Sequence, residues 1–469
     1  MDPTKEHTVK HCFDRRQFIA LSAAGGIGLV SGCATTAPVV RKNSPNAKLN
    51  HACVGVAGMM GGGDFDSFKS HPRLEIVAFC DVDANHRAVA AKKCPDARQY
   101  IDWREMLAKE GDKVDSVNVT VPDHMHAAIA LAAIRAGKHV YCQKPLAHDV
   151  AEIRAMARAA KKYGVVTQLG TQHAAGPGDR MMVQFLQQGL IGKVKRVVLC
   201  SNRPGAEQYR LLGPRPAQGE NPPETLAWDL WNGTAPARPF APKIYHPVMW
   251  RSWQDFGTGW SGDIGCHIFD AVWKGLGLTA PKSVIADEQE SWIKSPERRA
   301  DTWPQSNHIT WIFPGNEKTE GNELKVEWFD GEKFPPQEIL DIAKSGGMEN
   351  YPGEAAMVVG TEGSILLPHT SGPIFCPREK FTSVQRPQLK GPSHYHRFVN
   401  ACLGGDMTES HFVQTGPMAE TIILGTVAIR MPGTLLEWDS AHMKIPNCAE
   451  AEKFLRRIYR KGWEVDLNV

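Results

Sequence analysis

Short, continuous runs of hydrophobic residues alternate with longer stretches of helical spacing through the first part of the chain. The runs occupy residues 49–57, 74–80, 113–121, 139–142 and 165–169. Helical stretches at residues 124–136 and 149–162 separate the later runs. Runs that are apolar on both faces are typical of buried parallel strands. Strands that alternate with helices therefore predict a doubly wound parallel sheet over residues 51–175.

The pattern changes after about residue 175. Residues 203–260 are rich in proline, glycine and tryptophan, which predicts a long segment dominated by loops. A helix is predicted at residues 263–276, and helices return at 394–403, 420–430 and 449–460. Strand-like stretches lie between them with few interruptions, at residues 283–287, 307–313, 323–329, 355–359 and 364–367. The overall prediction is an α/β fold, with a C-terminal α+β domain at residues 176–469 built on a large, mostly antiparallel open sheet.

A glycine cluster follows the first hydrophobic run, from Gly58 to Gly63, and a helix is predicted after this turn. Rossmann domains hold a dinucleotide pyrophosphate at such a turn, where helix amides favour negative charge. Asp81 ends the second strand, where a carboxylate binds the ribose hydroxyls and repels a 2′-phosphate. These features favour NAD over NADP. Met60 departs from G-x-G-x-x-G, because it replaces the middle glycine, and a plain glycine turn is the alternative.

The first residues of the chain resemble an export signal. Arg15 and Arg16 precede an apolar stretch that ends in a lipoprotein-like box with Cys33. We predict a twin-arginine signal at residues 1–33, a linker at 34–50 and a periplasmic or membrane-anchored location. Because free nicotinamide cofactor is not expected there, we also expect the cofactor to be tightly bound.

Composition excludes several classes of protein. The 469 residues carry a net charge of only +3, with 42% hydrophobic and 22% charged residues, which is ordinary for a globular protein and gives no reason to expect nucleic-acid binding. The eleven cysteines include no CxxC pair. His124 and His126 form an H-x-H without an evident third ligand, so no metal site is predicted.

Several motifs together resemble the glucose–fructose oxidoreductase/inositol dehydrogenase (Gfo/Idh/MocA) family over residues 50–469. They are the glycine cluster, Cys80-Asp81-Val82-Asp83, Val121-Pro122-Asp123-His124, residues 137–145 and residues 262–270. Residues 452–463 are similar to the tail of exported members. The resemblance implies a Rossmann domain, a C-terminal domain used for homo-oligomer contacts, and sugars, pyranosides or inositols as substrates. It also implies that Lys144 is the family's lysine, preceded here by Gln143 where glutamate is usual.

Lys144, Asp263 and His267 are the predicted catalytic residues. Asp263 and His267 are one helical turn apart and so share a helix face. The reference pKa of histidine makes His267 the best base for a hydroxyl proton, while Lys144 should bind the reacting oxygen. The alternatives without a catalytic role are a surface lysine for Lys144, a helix N-cap for Asp263 and a buried core histidine for His267.

The remaining site predictions concern the cofactor and the substrate. The predicted cofactor-binding residues are Gly58, Met60, Gly61, Gly63, Asp81, Pro122, His124, Gln143, Lys144 and Gln172. The predicted substrate contacts are Lys144, Trp250, Arg251, Asp263 and His267. Five tryptophans lie between residues 228 and 260, and they suit either the apolar face of a pyranose or interdomain packing.

Three functions stay open from the sequence. The first is an NAD-dependent dehydrogenase that acts on a sugar, glycoside or polyol. The second is a redox-neutral enzyme that cleaves or epimerises a glycoside through transient oxidation with retained NAD. The third is a catalytically silent sugar-binding lipoprotein, anchored to a membrane only through Cys33.

Overall fold

The first layer of the fold is a parallel sheet of six strands in the order β3-β2-β1-β4-β5-β6. The structure is a computed structural model, and it describes residues 48–202 and 211–469. The strands are β1 (Leu49–Val54), β2 (Leu74–Cys80), β3 (Arg98–Tyr100), β4 (Ser116–Val119), β5 (His139–Cys142) and β6 (Thr167–Leu169). This order, with β1 near the centre, confirms the doubly wound sheet.

Five helices cover this sheet: α1 (Gly58–Lys69), α2 (Ala84–Lys93), α3 (Trp103–Glu110), α4 (His126–Arg135) and α5 (Val150–Tyr163). Aspartates cap three of these helices at their N-termini. Asp83, Asp102 and Asp149 each accept a hydrogen bond from a backbone N–H in the first turn of α2, α3 and α5. Helix α5 ends at Gly164, whose φ of 62° lies in the left-handed region that favours glycine.

The second sheet has eight strands in the order β13-β12-β11-β7-β10-β9-β8-β14. They are β7 (Val194–Ser201), β8 (Ser283–Glu288), β9 (Asn307–Pro314), β10 (Glu323–Asp330), β11 (Glu354–Gly360), β12 (Ser364–Pro368), β13 (Ile374–Cys376) and β14 (Leu436–Glu437). Only the pairing of β7 with β10 is parallel, among the residues described. The prediction of a mostly antiparallel sheet is confirmed.

Where the structure describes this part of the chain, it contains eight further helices: α6 (Pro177–Gln187), α7 (Trp228–Asn232), α8 (Gly259–Leu276), α9 (Glu290–Ile293), α10 (Pro296–Asp301), α11 (Gln337–Ser345), α12 (His394–Cys402) and α13 (Phe412–Ile429). Helices α8 and α13 contact each other and the second sheet. Among the described residues, α13 is the one helix long and apolar enough to cross a bilayer. Because 83% of it is buried within the fold, core packing explains its composition.

Two element predictions were wrong. Helix α1 begins at Gly58, so the predicted turn over residues 58–63 is already helical. The predicted helix at 449–460 contains only a 3-10 turn at Ala451–Phe454. The backbone N–H groups of Arg457 and Arg460 donate instead to Asp149 and Thr234, so they are not available for a helix. The predicted signal and nearly all of the linker lie outside the described residues, and the domain boundaries stay predictions.

Candidate active site

A cleft of about 1050 Å³ opens at the carboxyl ends of β1, β2, β4 and β5. Each strand contributes the residues that follow it: Gly55, Asp81, Val121 and Lys144 are examples. Open parallel sheets bind ligands at this edge. Where the strand order reverses, neighbouring loops run in opposite directions and leave a crevice between them. Trp463, from the C-terminal tail, also lines the cleft. Sequence reasoning missed Trp463, because only folding brings the tail to this edge.

The glycine cradle exists, but its register differs from the predicted one. A Cβ on Gly55 would lie 2.0 Å from the carbonyl oxygen of Thr120, and its φ is +81°. A Cβ on Gly61 would lie 3.1 Å from the backbone of Gly55, so Gly61 permits the close approach of α1 to β1. Gly63 is exposed, has nothing within 4 Å of such a Cβ, and does not line the cleft. The close-packing glycine is therefore Gly61.

The start of α1 is suited to a pyrophosphate. Its N-cap residue, Ala57, makes no side-chain hydrogen bond to the first turn, which also lacks an acidic residue. The first N–H groups of a helix have no intrahelical partner, and they attract anions. Gly58 and Met60 both line the cleft beside these groups. Met60 therefore belongs to the wall of the cleft, and the residues present fit a dinucleotide.

Asp81 is held in place by its neighbours. One carboxylate oxygen accepts the backbone N–H of Asp83 at 3.0 Å, and the other accepts that of Val56 at 3.1 Å. The second oxygen also lies 3.2 Å from Nδ1 of His86. Since Asp81 lines the cleft at the end of β2, its position is the one predicted for binding ribose hydroxyls.

Gln143 has a buried carboxylate partner, Asp64 of α1. The Gln143 amide donates to both Asp64 oxygens, at 3.1 and 2.8 Å, and Tyr395 and Thr120 donate to the same carboxylate. Burial raises the pKa of Asp64. Glutamate at position 143 would place a second acid against Asp64. The amide thus matches its environment, and it sits at the base of the Lys144 loop.

Lys144 connects the two parts of the predicted catalytic set. Its Nζ lies 2.7 Å from Oδ1 of Asp263, and both side chains are less than 10% exposed. Arg251 Nε lies 3.6 Å from the same oxygen, and its guanidinium stacks 4.2 Å from the Trp250 ring. Lys144, Trp250 and Arg251 line the cleft, whereas Asp263 reaches it through Lys144. The structure therefore brings these four predicted residues together.

Asp123 is a functional candidate that the site prediction left out. It lines the cleft, and Thr258 donates to its carboxylate at 2.9 Å. Burial, and then the nearby charge of Asp263, raises the pKa of Asp123 to about 7. A buried carboxyl that titrates near neutrality is a candidate for proton transfer. Its position directly after Pro122, in the motif beside the predicted nicotinamide site, was the available signal.

His267 lies one turn beyond Asp263 on α8, but it is not among the residues lining the cleft. Burial, and then the charge of Lys144, lowers its pKa well below the usual value. Among the described residues its buried Nδ1 has no hydrogen-bond partner. The His173 and His369 rings lie 6.5 and 5.3 Å from the His267 ring, centre to centre. The imidazole is thus neutral at pH 7, and burial makes it a weaker base than a free histidine.

Two other predicted cofactor residues are not brought to the cleft wall. His124 is fully buried between Trp231 and Phe256, and burial lowers its pKa to about 3. Gln172 lies instead beside the Tyr395 hydroxyl. The His124 prediction rested on the motif beside Pro122, but the structure packs this side chain against Trp231 and Phe256. Pro122 does line the cleft.

Most of the tryptophans pack against one another. Trp228 and Trp231 stack with ring centres 4.6 Å apart, and they join Tyr245, Trp253 and Phe256 in one buried cluster. Of the five, Trp231 and Trp250 also line the cleft. Packing within residues 226–256 therefore accounts for most of the group, while Trp250 also lines the cleft, where a ligand could contact it.

Two family models match the chain. Residues 49–171 match the NAD-binding Rossmann fold of an oxidoreductase family, and residues 179–322 match the C-terminal alpha/beta domain of the same family. Together they cover more than half of the sequence. The chain belongs to the Gfo/Idh/MocA oxidoreductase family. The predicted family, and the prediction that its first domain is of the NAD-binding kind, are confirmed.

Relatives within the Gfo/Idh/MocA family include the levoglucosan dehydrogenase of Pseudarthrobacter phenanthrenivorans. It is 32% identical over 107 residues, which are 23% of this chain and 27% of that protein. The matches to this and the other curated relatives span at most 39% of their length.

Solved structures share the fold over most of the chain. The WlbA dehydrogenase from Bordetella pertussis, in complex with NADH and UDP-GlcNAcA, has a TM-score of 0.59 and 16% identity, covering 84% of this chain and 99% of that one. An inositol dehydrogenase homolog from Azotobacter vinelandii, complexed with NADH and myo-inositol, has a TM-score of 0.56 and 15% identity, covering 84% and 98%. At these identities the likeness shows the fold alone.

Proposed function

We propose that this protein is an NAD-dependent dehydrogenase that oxidises a secondary alcohol of a sugar, glycoside or polyol. The observation that carries the proposal is the 2.7 Å contact between Lys144 and Asp263 at one end of the dinucleotide cleft. The relatives support the substrate class, since levoglucosan, myo-inositol and a sugar nucleotide occur in the names given above. Bound NAD would supply the hydride acceptor.

The charges around Lys144 suit a hydroxyl that becomes an alkoxide. Lys144 and Arg251 bring two positive charges to the Asp263 carboxylate, at 2.7 and 3.6 Å. Below about pH 7 the neighbouring Asp123 is protonated, so one positive charge is left unbalanced there. Fixed positive charge in a largely buried site stabilises a developing oxyanion. In this proposal Lys144 binds the reacting oxygen, Asp263 orients Lys144, and ionised Asp123 in the cleft accepts the proton.

A second candidate is the redox-neutral reaction, in which transient oxidation permits elimination or epimerisation. The specific observation in its favour is that Asp123 and His267 are two separate proton-transfer candidates around Lys144. Such a reaction moves a proton at carbon as well as at oxygen, whereas a dehydrogenase needs only one base.

Export and lipidation stay predictions, because residues 1–47 lie outside the described part of the chain.

The test is a screen of anhydrosugars, glycosides and inositols with the full-length protein. Substrate loss and NADH formation are both followed. We expect one class to reduce NAD, and Lys144→Met to lower kcat/KM by about 10²–10⁴ while the protein stays folded. The control is Lys161→Met, which changes an exposed lysine on α5. Its kcat/KM should equal that of the unchanged protein. Substrate loss without net NADH would favour the redox-neutral reaction. Unchanged turnover by Lys144→Met would contradict the catalytic assignment.

A further inference from the structure

His86 and His246 line the cleft, and both imidazoles lie near the Asp83 carboxylate, apart from the residues proposed for catalysis. Asp83 caps α2 and His86 lies in the first turn of that helix, while His246 comes from the long segment between β7 and α8. The Asp83 Oδ2 atom lies 3.0 Å from His246 Nε2 and 4.0 Å from His86 Nε2. One oxygen and two imidazole nitrogens within 4.8 Å of one another are a possible ligand set for a metal ion.

The second ring nitrogen of His86 has its own carboxylate. His86 Nδ1 lies 3.2 Å from Oδ2 of Asp81, which the backbone N–H of Val56 also holds. With Nδ1 donating to Asp81, the Nε2 atom keeps its lone pair and faces Asp83 and His246. A histidine fixed by a carboxylate in this way is the usual arrangement behind a metal-binding imidazole.

The two oxygens of the Asp83 carboxylate have different partners. Its Oδ1 accepts the backbone N–H of Asn85 at 2.8 Å and so caps α2, which leaves Oδ2 directed at the two imidazoles. The 4.0 Å separation from His86 Nε2 is too long for a hydrogen bond. The hydrogen bonds of His246 to Asp83 and of His86 to Asp81 thus leave His86 Nε2 directed at Asp83 without a bond to it.

We propose that Asp83, His86 and His246 bind one divalent transition metal ion of the zinc class. Two imidazoles and one carboxylate are ligands that Zn²⁺ accepts, at about 2.0–2.2 Å each. Tetrahedral ligands at those distances are roughly 3.3 Å apart, and the separations of 3.0 and 4.0 Å require only small adjustments. Three protein ligands leave a fourth position for water or for a group in the cleft.

The ion would fasten the long segment to the cofactor-binding domain. Backbone contacts already join the two parts here, because Ala84 donates to Thr225 and Ala227 donates to Val82. His246 precedes the 3-10 helix Met249–Ser252, which carries Trp250 and Arg251 into the cleft. A cation on His246 therefore fixes one end of the element that lines the proposed substrate site.

The test measures Zn²⁺ binding by the full-length protein, purified without an affinity tag and stripped of metal with a chelator. We expect one Zn²⁺ per chain by elemental analysis, and a rise in the thermal unfolding temperature when Zn²⁺ is added. Asp83→Asn and His246→Gln should each weaken Zn²⁺ binding by at least about 10-fold, as measured by calorimetry. Asp83→Asn is informative because asparagine caps a helix as well as aspartate does.

The matched control is His442→Gln. His442 Nδ1 also lies close to an aspartate, at 2.7 Å from Asp439, but within residues 48–202 and 211–469 this pair has no third ligand. The His442→Gln variant should bind Zn²⁺ with the same affinity as the unchanged protein. If a ligand variant fails to fold, X-ray absorption of the zinc-loaded unchanged protein decides, and two imidazoles with one carboxylate are expected. No bound zinc, equal affinity in all variants, or a different ligand set would each overturn the proposal.

Discussion

At the scale of single residues, Gln143 shows how a departure from the family pattern is explained by a distant partner. Its amide donates to Asp64, which lies 79 positions earlier and is fully buried. Thr120 and Tyr395 complete the hydrogen bonds of that carboxylate. Residues 64 and 143 therefore form one unit, and a change at either position should depend on the other.

We expect Gln143→Glu, which restores the family's usual residue, to destabilise the protein by about 1–3 kcal/mol. The change removes the donor to Asp64 and brings two acids together. Adding Asp64→Asn should recover most of the loss, because asparagine can donate to the new carboxylate. Denaturant unfolding of the single and double variants measures this coupling. Asp66→Asn, an exposed change on the same helix, is the control, and strictly additive losses would contradict the pairing.

At the scale of elements, α1 shows that a glycine motif has a register that sequence alone did not settle. Read from Gly58, the pattern assigns the packing role to Gly63, whereas the structure assigns it to Gly61. The helix starts at Gly58, so Gly61 faces β1 and Gly63 faces solvent. The phase of a helix depends on its first residue, and boundaries are what local patterns define least.

Alanine substitutions should separate the two glycines. Gly63→Ala should stabilise the protein by about 0.5–1 kcal/mol and leave NADH affinity unchanged, because an exposed helical glycine only adds freedom to the unfolded chain. Gly61→Ala should destabilise the protein and weaken NADH binding, because its Cβ would press on Gly55 at 3.1 Å. Thermal unfolding and NADH fluorescence titration measure both. If Gly63→Ala weakened NADH binding and Gly61→Ala did not, the register predicted from the sequence would be correct.

The C-terminal tail is the element that local reasoning misjudged most. Residues 449–460 have helical composition, yet Arg457 donates through its side chain to Glu152 at 3.1 Å. Its backbone N–H donates to Asp149 at 3.2 Å. Contacts with helix α5 outweigh local helix propensity here, as tertiary context often does. The same docking brings Trp463 to the cleft.

At the scale of the whole molecule, buried carboxyl groups set how stability depends on pH. The pKa is raised to about 7 for Asp123, Asp149 and Asp330 and to about 8 for Asp179 and Glu288, in each case mainly by burial. The folded state therefore holds protons that the unfolded chain has lost. This stabilisation is complete below the unfolded pKa of about 4 and is lost progressively as pH rises to between 7 and 8.

Several buried histidines act in the opposite direction, but in a lower pH range. Burial lowers the pKa of His51, His124 and His394 to about 3 and that of His126 and His139 to about 4. Their stabilisation is lost only as pH falls below the ordinary histidine value of 6.5. Above that value these histidines no longer oppose the carboxyl groups.

We therefore expect the thermal unfolding temperature to fall between about pH 6.5 and about pH 8.5. Asp179→Asn should reduce this fall, because its carboxyl group has a pKa raised to about 8 by burial and then by Asp270. Differential scanning calorimetry across this range measures the slope. Asp341→Asn, an exposed carboxyl on α11, is the control and should keep the full slope. An equal slope in Asp179→Asn would contradict the assignment.

The sequence by itself determined the family and predicted both sheets, and it named Lys144, Asp263, Trp250 and Arg251 as candidate site residues. These features follow from local periodicity and from motifs, which are properties of adjacent residues. Only the tertiary structure decided which side chains of those motifs face the cleft. It turned His124 into an aromatic cluster, paired Gln143 with Asp64, and brought His246 to Asp83 and His86. Such pairings depend on the packing of segments far apart in the chain, and no local pattern encodes them.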